Sequence, residues 1–109
     1  MSYDFWLSAH CSSCDETKCY FEQNYTSNTS TMFYKVFKEG IRILNGKNAR
    51  DGGDILFTFY KYFSNNKKEL EKLNPSNGWG DYESTLQLIK DLHFASRMAP
   101  DDAVWAVYS

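Results

Sequence analysis

Residues 103–108 read AVWAVY, and residues 3–9 read YDFWLSA. Both alternate. In the first, Ala103, Trp105 and Val107 fall on one side and Val104, Ala106 and Tyr108 on the other. In the second, Tyr3, Phe5, Leu7 and Ala9 oppose Asp4, Trp6 and Ser8. A period of two with one apolar side is the pattern of a half-buried strand. Two such strands near opposite ends of the sequence decide the fold, because a two-stranded ribbon is unstable alone and needs a covering layer.

The intervening chain supplies that layer. Phe33, Phe37, Ile41 and Leu44 form one helical stripe, so a helix is expected over 31–44, with Ser30 or Thr31 as N-cap and Asn45-Gly46 as the stop. Asp51-Gly52-Gly53-Asp54 opens a second helix with Asp54 as cap. Residues 55–63 are apolar almost all round, and a short helical turn continues over 67–73. Asp81 caps a third helix, 82–98, with Glu83 in its first turn and Arg97 near its end, both favourable to the dipole. Residues 10–31 are a long polar segment in which 18–23 could form a third strand. The expected fold class is therefore α+β. A small sheet of two or three strands, including both terminal ones, packs against three helices in a single domain, 1–109.

Composition narrows the function. The 109 residues carry a net charge of -2 with acids and bases mixed, which disfavours direct nucleic-acid binding. There is no run of about 18 apolar residues, so no membrane partner is expected. The N-terminal residues carry no signal-peptide pattern, which points to the cytoplasm. No nucleophile–base signature, zinc-protease motif or phosphate-binding glycine loop is present, so the reading is a binding protein and not an enzyme. Cys11 and Cys14 stand in C-x2-C spacing beside His10, with Cys19 farther on, but the second ligand pair of a zinc site is missing. The expectation is free thiols and no cofactor, with a zinc-stabilised module as the weaker alternative.

Two loops carry the candidate site. Asn74-Pro75 starts a turn, Asn77-Gly78 is a strong turn pair, and Gly80 leaves bare backbone at a helix start. Trp79 between the two glycines is either a core lid or a platform on which a ring stacks. Residues 24–32 hold Asn24, Thr26 and Asn28, whose amides and hydroxyl donate and accept, and they also lead into a helix through Met32. A pocket formed where the loops converge would be lined by Asn24, Thr26, Asn28, Met32, Asn77, Gly78, Trp79, Asp81 and Tyr82.

The pairing of NYTSNTSTMFYK with LNPSNGWGDYE resembles a family of small bacteriophage and prophage proteins. In that family an Asn-x-Thr-x-Asn stretch precedes a Met-containing helix, and an Asn-Pro-x-Asn-Gly-Trp-Gly-Asp-Tyr stretch precedes the last helix. The likeness covers residues 24–34 and 73–92 well and both terminal strands loosely; the cysteine segment is outside it. It implies a phage protein acting in the host cytoplasm, without supplying a reaction. The ligand expected is a small polar molecule, for example a nucleotide, such as a host immune signal to be sequestered. The alternative is direct contact with a host defence enzyme through an aromatic surface. The sequence leaves the oligomeric state, a homo-oligomer included, open.

Overall fold

The computed structural model describes residues 2–11, 16–76, 78 and 80–108, with Cys11 through its backbone alone. Among these the order is β1 (Ser2–Cys11), β2 (Glu16–Thr26), a 3-10 turn (Ser27–Thr29), α1 (Ser30–Tyr34), a second 3-10 turn (Gly40–Leu44), α2 (Ala49–Asn65), α3 (Lys67–Glu71), α4 (Tyr82–Met98) and β3 (Val104–Tyr108). The strands make one antiparallel sheet in the order β2-β1-β3. The two terminal strands therefore pair, Phe5 opposite Val107 and Leu7 opposite Trp105. No helix of the described residues is long and apolar enough to cross a membrane.

The alternation does the work that its period implies. Tyr3, Phe5, Leu7, Trp105 and Val107 are buried beneath the helices, while Asp4, Glu22 and Asn24 stand on the opposite side of the sheet. Leu7 faces Phe21 and Ser8 faces Cys19, so Tyr20 is an extra residue in β2. That bulge is a local kink in the long edge strand. The other edge is also covered. Trp105 donates its N–H to the Lys47 carbonyl at 2.8 Å, Val107 donates to Asn45 Oδ1 at 3.0 Å, and Ala49 donates to the Ala103 carbonyl at 2.7 Å. Residues 45–49 thus occupy the edge that β3 would otherwise offer to another chain.

The helical layer departs from the sequence expectation in three places. The helix expected over 31–44 is broken: α1 ends at Tyr34 and the chain re-forms as the turn Gly40–Leu44. Gly40 sits at φ +64, and a Cβ there would lie 2.9 Å from the Tyr34 ring. The apolar stripe was read correctly as core, since Phe33, Ile41 and Leu44 are buried, but a bent chain buries it as well as a straight one. Neither Ser30 nor Thr31 is the cap; Thr26 Oγ1 instead accepts from the Asn28 N–H as the 3-10 turn begins. Asp54 is not the cap of α2, which starts five residues earlier with Asn48 Oδ1 accepting from the Asp51 N–H at 2.7 Å. The Gly52-Gly53 pair lies inside that helix, and Gly52 has no side chain because a Cβ there would meet Trp105 Cδ1 at 2.6 Å.

Candidate functional site

The loop expected to hold a ligand is largely consumed by its own architecture. Asp81 Oδ1 accepts from the Ser84 N–H at 2.8 Å, and Ser84 Oγ accepts from the Asp81 N–H at 3.1 Å, a closed capping box. The Ser84 backbone N–H, and after it the Ser84 side chain, hold the Asp81 carboxyl below its ordinary value. Met32 and Tyr82, expected to line a pocket, are core residues. The Tyr82 hydroxyl donates to the Phe63 carbonyl at 2.6 Å, and its ring stacks on Phe63. Asn24 is turned to the outer side of the sheet, where its amide donates to Asp4 Oδ1 at 2.7 Å and to Ser2 Oγ at 3.1 Å. Asn28 and Gly78 are exposed. Asn77 and Trp79 lie outside the described residues, as does Cys14.

What the two loops do is lock together. Gly80, at φ +88, runs so close to the first loop that a Cβ would meet Thr26 Cγ2 at 2.8 Å and Thr29 Cγ2 and Tyr25 Oη at 3.2 Å. The Tyr25 hydroxyl shares hydrogen bonds with Ser84 Oγ at 2.7 Å and Thr85 Oγ1 at 2.8 Å. Asn74 Oδ1 accepts from the Tyr82 N–H at 2.8 Å. Glycine at 80 is required by its positive φ and by this close approach of its backbone to side chains of the first loop. The Thr29 hydroxyl is buried beside the junction without a partner, the single such side-chain atom among the described residues.

The described cysteine side chain, Cys19, is exposed, with Sγ 3.3 Å from the Phe21 carbonyl. Among the described residues no group of three or more His, Cys, Asp or Glu could hold a metal.

A different surface is open. Between α2 and α4 lies a groove of about 540 Å³, within the range of ligand sites. Phe57 and Tyr60 line it from α2; Phe94 and Met98 line it from α4, with Lys90, His93 and Arg97 beside them. A second lobe of about 380 Å³ shares Phe57, His93 and Arg97 and adds Arg50, Asp54 and Asp101. On the far side of α4, Phe94 and Met98 face Tyr20 across another hollow. Five of the eight large apolar side chains that are exposed among the described residues, Tyr20, Phe57, Tyr60, Phe94 and Met98, thus lie on one connected face. Phe94 and Met98 are 66% and 69% exposed. The His93 ring stands 5.9 Å from Phe57, and Lys61 Nζ sits 5.6 Å above the Phe57 ring. Burial, and after it the nearby Arg97, hold the His93 imidazole below its ordinary value, so it is neutral at pH 7.

The sequence reading did not single out this face: it took residues 55–63 as apolar almost all round and left Phe94 and Met98 unassigned. The available signal was angular. Leu56, Phe59 and Phe63 already fill the inward side of α2, and Leu88, Ile89 and Leu92 that of α4. Phe57, Tyr60, Phe94 and Met98 lie off those stripes, at 100° per residue. Compared with family models, with curated proteins and with solved structures, the chain matches none.

Asp81 gives a pH-dependent prediction. Because its folded carboxyl is depressed, the cap stabilises fully above the ordinary carboxylate range and loses its effect as pH falls through the folded value. Asp81→Ala is expected to cost about 1 kcal/mol at pH 7. Urea melts of parent and variant should converge as the pH is lowered past that range; a gap that stays constant with pH would show that the carboxylate is not the stabilising group.

Proposed function

We propose that the protein is a non-enzymatic binding protein whose working surface is the aromatic face of α2 and α4. One observation carries this reading: among the described residues, four of the eight large exposed apolar side chains stand there, with Tyr20 a fifth across the hollow beside α4, next to Lys90 and Arg97, while Tyr25 and Asp81 of the loops are each bonded to Ser84. Monomers seldom leave a connected apolar patch of this kind without a partner for it. With the likeness of residues 24–34 and 73–92 to phage proteins, the partner would be a component of host defence in the infected cell's cytoplasm, either a nucleotide-like signal held away from its receptor or a defence enzyme blocked by contact.

A second reading keeps a small ligand at the loop junction. The unpartnered Thr29 hydroxyl favours it, since a buried polar group normally has a partner. One pair of variants separates the two. In a phage-infection assay, Phe94→Glu is expected to abolish the protein's effect while leaving its melting temperature unchanged, because Phe94 is largely exposed. Asn28→Ala is expected to retain the effect. The opposite pattern, with Phe94→Glu fully active and Asn28→Ala inactive, would move the site back to the loops.

A further inference from the structure

We infer that the groove between α2 and α4 takes a planar aromatic anion, of which a nucleoside monophosphate is the representative class; this rests on the binding reading above. Three features converge. The first is ring surface. Phe57, Tyr60 and Phe94 offer faces and edges on which a base can stack, in a groove large enough for a nucleotide. Met98 adds an adaptable apolar wall.

The second feature is charge. The aromatic lobe is lined by Lys90 and Arg97 and by no carboxylate, and Lys61 stands over the Phe57 ring. Among the described residues the one ion pair is Lys67 with Glu83, so neither Lys90 nor Arg97 is engaged in one, and the carboxylates that share a lining with Arg97, Asp54 and Asp101, belong to the adjoining lobe. The charged lining of the aromatic lobe is thus all positive, and an arginine fork beside a lysine is suited to a phosphate or carboxylate. His93, neutral at pH 7, adds a ring nitrogen that can donate or accept.

The third feature is the adjoining lobe. Asp54 and Asp101 line it with Arg50, and it joins the aromatic lobe through Phe57, His93 and Arg97. Carboxylates accept hydrogen bonds from sugar hydroxyls and repel phosphate. A ligand whose base lies on the aromatic lobe would therefore direct its hydroxyls toward Asp54 and Asp101 and its anionic group toward Lys90 and Arg97. A bare phosphate or an uncharged base satisfies only part of this arrangement.

The probes are adenosine 5′-monophosphate, adenosine and ribose 5-phosphate, each titrated into the ¹⁵N-labelled full chain. The monophosphate is expected to shift the amides of Phe57, Lys90, His93, Phe94 and Arg97, and to bind roughly tenfold or more tightly than either fragment. Lys90→Gln/Arg97→Gln should bring its affinity down to that of adenosine; both side chains are exposed, so the fold should survive. Shifts confined to residues 24–31 and 76–81, no shifts at all, or equal affinity in the double variant would each overturn the inference. The binding reading is tested separately. If the groove is silent to the monophosphate and Phe94→Glu still abolishes the infection effect, the ligand class falls and a protein partner on the same face replaces it. If the groove is silent and Phe94→Glu is fully active, both fall.

Discussion

Replacing Trp105 by alanine is expected to destabilise the protein by about 3–5 kcal/mol, the range for emptying a large aromatic site in a core. Trp105 is almost fully buried on β3, packs edge-on to Phe21 at 5.9 Å, and fits against Gly52 of α2. It also has a polar function. Its Nε1–H donates to Ser96 Oγ at 3.1 Å, and the Ser96 hydroxyl donates on to the Ala49 carbonyl at 2.5 Å. This relay joins β3, α4 and the first residue of α2, so the indole secures three elements at one point. Urea denaturation followed by circular dichroism measures the loss. Trp105→Phe keeps most of the volume and removes the donor, so it should fall between parent and alanine variant. A change within about 0.5 kcal/mol, the scale of surface substitutions, would mean that the site is not packed as described.

The second large effect is expected at Gly80. Gly80→Ala must adopt a left-handed φ and also force a methyl group into Thr26, Thr29 and Tyr25. Backbone strain and overpacking together should cost at least about 2 kcal/mol. Gly78 is the control. Its φ is +75 and nothing lies within 4 Å of an added Cβ, so Gly78→Ala isolates the backbone term at about 1–2 kcal/mol. Equal losses for the two variants, measured by thermal melts, would show that the loops do not meet closely at Gly80.

The elements most legible in the sequence were those whose pattern has a single physical solution. Alternation at 3–9 and 103–108 allows only one face to be buried, and both strands lie as expected. Helix 82–98 was legible because Asp81 is an acceptor placed immediately before an apolar periodic run. The failures came where one pattern has two solutions. The stripe Phe33, Phe37, Ile41 and Leu44 suits a helix, yet a chain turned at Gly40 buries the same residues. Gly52-Gly53 resembles a helix boundary, but its reason is the indole of a residue over fifty positions away, which no local window can contain. The loop motifs were recognisable as special, and among their described residues mutual packing accounts for several: Tyr25 with Ser84 and Thr85, Thr26 with Gly80, Asn74 with Tyr82. The angular position of Phe57, Phe94 and Met98, off the buried stripes, was in the sequence, but that the outer sides of α2 and α4 meet in one groove depends on the pairing of the two helices, which neither helix contains alone.

The placement of β1 between β2 and β3 sets how the molecule forms as well as how it stands. Pairing of β1 with β2 joins neighbours in the chain and can occur early, as hairpins do in microseconds. Pairing of β1 with β3 sets Asp4 against Tyr108, and the entropy of closing nearly the whole chain is lost before any contact across that pair rewards it. Until then the apolar underside of the hairpin, with Phe5 and Leu7, has no partner on its open edge. The arrival of β3 is therefore the step expected to be slow, and an exposed β1 edge would be most open to pairing with another chain before it.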